Sequence, residues 1–224
     1  FTIISITNAQ NKKYWADTEL DLALQNNDNE VLFKRKKALK KELFKVVADQ
    51  AGQLFDPNIL TIVWARRFAG YKRAAFLLQD LEHFLHMVTR FEKPVQVIWA
   101  GKPYPEDQDG VATFNYIRSK TSDMPRCAVL VGYELGLSAL LKKGADVWLN
   151  NPRITREASG TSGMTAAMNG TINFSVQDGW VPEFARHKEN GFYLPHSDSN
   201  WPIEKQDFED QKNLMQILEN EIVP

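Results

Sequence analysis

Apolar residues fall into two patterns along the chain. Five β-rich runs, 60–65, 95–100, 127–132, 145–149 and 171–176, are close to continuously apolar rather than alternating. Such runs predict strands covered on both faces, as in a parallel sheet. Between them the spacing is helical. Segment 30–53 carries Val31, Leu32, Leu39, Leu43, Val46 and Val47 with many charges in between. A helix is expected over 71–91 after the first strand and over 110–122 after the second. Another is expected over 138–143, with Gly144 as its C-cap, and a terminal one over 207–222. The stretch 25–29 reads as a polar loop, 185–201 as irregular, and 1–6 as strand-like. Alternating strands and helices imply right-handed crossovers and a doubly wound α/β, Rossmann-like parallel sheet. In such sheets ligands bind beyond the carboxyl ends of the strands. The residues just after each strand are therefore the functional candidates.

Composition narrows the partners. The chain has 224 residues, enough for one large domain spanning 1–224. Its net charge of -1 gives no bulk attraction to nucleic acid or to an anionic membrane, so neither partner is expected. An anion site must come from a few placed cations. One cysteine, Cys127, rules out an intramolecular disulfide and fits a reducing, cytoplasmic location. No apolar run reaches the roughly 18 residues of a membrane span. The first residues show no basic n-region and no initiator methionine, and the chain reads as excised from a longer protein. His83 and His86 lie three apart with no evident third ligand, so no metal site is expected.

Three crest segments carry candidate chemistry. The first strand runs into Arg66, Arg67, Lys72 and Arg73. With a helix starting there, backbone N–H groups and the helix dipole would join these cations around a phosphate. A solvated basic helix start explains the same residues. The second strand exits into Gly101 and Lys102, where glycine permits an unusual turn and the lysine is otherwise a surface residue. The fourth leads through Asn150, Asn151, Pro152 and Arg153 to the small-residue loop at 157–163. That loop suits either close backbone approach to an anion or plain N-capping by Thr161 or Ser162. Trp180 and Trp201, in polar stretches, suit a sugar face or ordinary core packing.

Taken in order, the stretches at 65–74, 100–102, 146–153 and 157–164 resemble the bacterial branch of the α-glucan (glycogen and starch) phosphorylases. The resemblance runs from about Thr7 to the end of the chain. It implies the C-terminal domain of a two-domain GT-B glycosyltransferase, with the N-terminal domain and the extreme C-terminus absent. The implied reaction is phosphorolysis of α-1,4-glucan to glucose 1-phosphate. The implied partners are the glucan and phosphate or a sugar phosphate, with room for a homo-oligomer in the intact protein. The resemblance gives Arg67, Lys72 and Glu157 the catalytic roles, with Arg66, Arg67 and Lys72 on phosphate groups. Tyr71, Glu157 and Asn8 would touch the transferred glucose, and Gly160, Thr161 and Ser162 would line the cradle. The isolated chain is expected to be inactive, because the catalytic cleft of such enzymes lies between two domains.

Two positions depart from the pattern. Ala9 stands where the family has glycine after the threonine and asparagine. Thr165 stands where the family has the lysine that forms a Schiff base with pyridoxal phosphate. A hydroxyl cannot form an imine, so covalent attachment is expected to be absent. Two alternatives accommodate the loss. One is a retaining nucleotide-sugar glucosyltransferase, similar to glycogen synthase, which needs Arg67, Lys72 and Glu157 but no such lysine. The other is a non-catalytic glucan-binding homologue.

Overall fold

The computed structural model describes Ile4 and residues 6–224; residues 1–3 and 5, most of the expected strand at 1–6, lie outside the described residues. The chain opens with α1 (Lys12–Trp15), α2 (Thr18–Gln25) and α3 (Asn29–Ala51), followed by β1 (Leu60–Ala65), α4 (Leu81–Thr89), β2 (Val95–Ala100) and α5 (Gln108–Thr121). Next come β3 (Cys127–Leu130), α6 (Leu135–Gly144), β4 (Val147–Asn150) and α7 (Ser162–Ala167). Then β5 (Ile172–Ser175), α8 (Val181–Phe184), β6 (Gly191–Tyr193) and α9 (Ile203–Ile217) complete it, with a π-helical turn at Leu218–Ile222.

The strands form one parallel sheet in the order β3-β2-β1-β4-β5-β6. This is an α/β, Rossmann-like sheet. Alternate residues of β1 feed opposite layers. Ile62 and Trp64 join one apolar cluster with Phe84, Trp99 and Leu214, whereas Val63 and Ala65 join the other with Leu43, Ile98 and Trp148. Both faces are dry, which is why the strand sequences run nearly unbroken in apolar residues. Each fully buried Val, Ile or Leu adds about 1.5–3 kcal/mol. The order reverses between β1 and β4, which makes the carboxyl ends of those two strands the switch point of the sheet.

The structure corrects the sequence reading in several places. The expected helix at 71–91 is broken into 3-10 turns at Gly70–Lys72 and Phe76–Leu78, and α4 begins only at Leu81. Arg73 makes the first break by taking the left-handed conformation, φ 52°, and Asp80 the second, with φ -108° and ψ 86°. Asp80 then starts α4 by accepting from His83 N. No helix N-terminus therefore stands behind Arg66 and Lys72. Gly144 is the last residue of α6 rather than its cap, and extended Ala145 takes the cap position. The absence of a side chain there serves packing: a Cβ on Gly144 would lie 2.8 Å from Leu43 Cβ on α3. β6 sits inside the stretch read as irregular, and α9 begins at Ile203 rather than 207.

Candidate active site

The turns after β1 and β4 meet at the switch point and enclose an open cleft of about 540 Å³. It is lined by Arg66, Arg67, Tyr71 and Lys72 from the first turn and by residues 156–162 from the second, with Tyr133 beyond β3. The centre is an ion-pair cluster. Arg66 Nη2 donates to Glu157 Oε2 at 2.7 Å. Lys72 Nζ donates to the same oxygen at 2.8 Å and to Oε1 at 3.2 Å. All three side chains are largely buried. Burial alone would push the Glu157 carboxyl up, but Arg66 and Lys72 outweigh it and hold the group below the ordinary carboxylate range. Burial in turn lowers Arg66, which Glu157 offsets only in part.

The cluster is one anion against two cations, and a third cation, Arg67, is exposed at the rim. Arg66 Nη1 is buried with no hydrogen-bond partner. Leaving such a donor unmatched is costly. The surplus of positive charge and donors is what a phosphate group requires.

A backbone bond joins the two turns, Arg153 N donating to Tyr71 O at 2.7 Å, and the Asp178 side chain after β5 holds the second turn, its Oδ2 accepting from Glu157 N at 2.9 Å. Asn169 ties the chain start to α7: its amide donates to Trp15 O at 3.0 Å and its carbonyl accepts from Asp17 N at 2.9 Å. Asn8 consequently reaches the cleft loop, where its Nδ2 donates to Ser159 Oγ at 2.5 Å.

Most of the expected site residues converge. Arg66, Arg67, Tyr71, Lys72, Glu157, Gly160, Thr161 and Ser162 all line the cleft, and Asn8 touches its loop. Neither Thr161 nor Ser162 caps α7 through its side chain; Ser162 Oγ instead accepts from Trp148 Nε1. Thr165 is buried in α7 outside the cleft lining, and its hydroxyl donates to Ser162 O at 3.0 Å. Arg73 turns away from the cleft, and Lys102 pairs with Glu134 at the surface. Trp180 is buried, and Trp201 lies beneath Lys205 Nζ. Tyr133 and Arg156 were missed as lining residues. Tyr133 follows β3 on the crest, so inspecting every strand end would have found it. Among the described residues no group of three or more His, Cys, Asp or Glu side chains is arranged to hold a metal.

A doubly wound parallel sheet with a cation-rich cleft at its switch point places the chain among the α/β, Rossmann-like domains. The sequence profile described as carbohydrate phosphorylase matches residues 6–194, and the chain belongs to that family. It is 42% identical over 173 residues to the maltodextrin phosphorylase of Thermococcus litoralis, covering 75% of this chain and 21% of that protein. It is 37% identical over 174 residues to the glycogen phosphorylase of Mycobacterium tuberculosis, covering 76% of this chain and 20% of the other. An uncharacterized protein of Methanocaldococcus jannaschii is 52% identical over 184 residues, which is 82% of this chain and 35% of that one. The chain thus spans only about a fifth to a third of the length of these relatives.

Proposed function

We propose that this chain supplies the phosphate side of an α-glucan phosphorylase-type glycosyltransferase that converts α-1,4-glucan and phosphate to glucose 1-phosphate. The observation that carries the proposal is Glu157 clasped by Arg66 and Lys72 at the switch point. In this reading an arriving phosphate takes over the two cations and the free Nη1 of Arg66, with Arg67 closing over it from the rim. Glu157 is thereby released to accept hydrogen bonds from hydroxyls of the glucose unit, which Tyr71 and Asn8 help to place. Gly160, Thr161 and Ser162 form the wall against which sugar and phosphate rest. The chemistry asked of these residues is positioning and electrostatic stabilisation of a charged leaving group. A cytoplasmic location goes with this reading, in keeping with the one cysteine, Cys127, which is buried and whose thiol burial pushes up to about 12.

Pyridoxal phosphate is the cofactor that the family implies. The cations and the unpartnered Arg66 donor suit its phosphate, but position 165 offers a buried alcohol already bonded to Ser162 O. Lys72 lines the cleft but is engaged by Glu157. The residues therefore do not fit covalent attachment, and no catalytic step is assigned to the group.

Two measurements test the reading. Calorimetric titration with phosphate and glucose 1-phosphate should show that Arg67→Ala weakens binding by about 1.5–3 kcal/mol, the worth of one charge-assisted contact. Unchanged affinity would show that Arg67 does not contact the phosphate and would count against the cleft as its site. Incubation with pyridoxal phosphate and borohydride, followed by peptide mapping, should leave no lysine stoichiometrically modified. A stoichiometric adduct at a lysine of the cleft would show that another amine has taken the role.

A further inference from the structure

Arg73 follows the cleft lysine directly, yet its side chain points the other way into a buried network. Its Nη1 donates to Asp210 Oδ2 at 2.7 Å and to Asp207 Oδ1 at 3.0 Å, both on α9. Its Nε donates to Asn151 O at 2.9 Å and its Nη2 to Pro152 O at 3.0 Å. Asn151 Nδ2 returns a bond to Arg73 O at 3.0 Å, and the guanidinium stacks 4.2 Å from the Phe76 ring centroid. Asp207 also accepts from Arg153 Nη2 at 2.7 Å. Two arginines and two aspartates make a neutral quartet, and Arg73 and Asp210 within it are nearly inaccessible.

The backbone makes the arrangement informative. Arg73 has φ 52°, a region that glycine or asparagine occupies far more readily. A strained conformation persists only where its surroundings over-determine it. Here the surroundings are the α9 carboxylates and the carbonyls of the β4 turn. The left-handed residue reverses the chain between the turn bearing Lys72 and the one bearing Phe76. The same quartet grips the turn after β4, which carries Glu157 six residues beyond Asn151. The network therefore clamps both turns whose side chains meet in the cleft, while neither Asp207 nor Asp210 lines it.

We propose that Asp210, supported by Asp207, is a positioning residue: its buried carboxylate holds Arg73 in the left-handed turn, and that turn aims Lys72 at Glu157. The effect on phosphate binding rests on the reading of the cleft given above, whereas the effect on Lys72 does not. The test is Asp210→Asn, which keeps the shape and removes the charge. Competitive labelling with acetic anhydride, read by mass spectrometry, reports the accessibility of Lys72 relative to buried Lys40 in the same sample. Lys72 should become several-fold more reactive against that reference, and the Kd for inorganic phosphate should rise roughly ten- to a hundredfold, as expected when a charged contact is misplaced. If Asp210→Asn does not fold, Asp207→Asn carries the same readouts with smaller changes, because its carboxylate is partly exposed and shared with Arg153. A folded variant with a lowered unfolding midpoint but unchanged Lys72 labelling would overturn the proposal and leave the quartet a purely structural latch. Increased labelling with no change in phosphate affinity would uphold the positioning role and count instead against the cleft as the phosphate site.

Discussion

Glu157→Gln is expected to cost about 3–5 kcal/mol of stability, the usual penalty for removing one partner from a buried ion pair. The reason is the charge left behind. Arg66 and Lys72 sit side by side with little access to water, and Glu157 is the carboxylate that both contact. Glutamine preserves shape and one acceptor but none of the charge. Added phosphate should restore much of the loss, because a ligand that binds only the folded state stabilises it by RT ln(1 + [L]/Kd), about 2.7 kcal/mol at a hundredfold excess over Kd. Wild type should gain less from the same phosphate, since its own carboxylate competes for the cations. Urea unfolding of both proteins, with and without phosphate at matched ionic strength, reads all of these effects. The pH dependence has a definite sign. The folded-state pKa of Glu157 lies below its unfolded value, so its contribution is intact above the ordinary carboxylate range and is lost as pH falls through the lowered value. Wild type and variant should therefore converge in acid. Equal stability at neutral pH, or a variant indifferent to phosphate, would mean that the two cations are compensated some other way.

The sequence made β1 and β2 legible to the residue, because both layers of the sheet are dry and the runs 60–65 and 95–100 have no polar face to blur them. β6 was not legible. It is a three-residue edge strand, too short to show a period, and it is recognised only by its pairing with β5. The segment 71–91 misled for a different reason. Phe76, Leu77, Phe84, Met87 and Val88 are spaced as on a helix and are all buried. The first break is the backbone of Arg73, held by carboxylates more than a hundred residues away, and the second is Asp80, whose non-helical backbone delays α4 to Leu81. Local pattern cannot report a tertiary constraint of that kind. The site was legible in outline, since the rule that ligands gather at strand ends selected Arg66, Lys72 and the loop at 157–163. That Arg66 and Lys72 would clasp Glu157 while Arg73 turned its back was not legible, because adjacent cations in a sequence carry no direction.

Gly101→Ala is expected to be among the most disruptive single substitutions in the chain. Gly101 follows β2 with φ 155°, and a Cβ built there would lie 1.9 Å from the carbonyl oxygen of Arg66 and 3.0 Å from Phe68 Cε2. The first obstacle is backbone, so no rotamer change relieves it. The neighbouring pairing is fixed on both sides, with Arg66 N donating to Ala100 O at 3.0 Å and Phe68 N donating to Lys102 O at 3.3 Å. To admit one methyl group, the crest of β1 must move away from β2 and take Arg66 with it. That movement combines overpacking, a lost ladder bond and displacement of a buried guanidinium from Glu157. Together these put the expected loss above about 4 kcal/mol, in the exceptional tail of point-mutant effects. Gly136→Ala is the control: it lies in the first turn of α6 with nothing within 4 Å of its Cβ position. Alanine there should be neutral or stabilising by about 0.4–1 kcal/mol. Denaturant midpoints should separate the two variants, and any folded fraction of Gly101→Ala should bind phosphate more weakly than wild type. A Gly101→Ala protein as stable as Gly136→Ala would show that the β1 and β2 crests yield without cost, and that close approach at this position does not set where Arg66 stands.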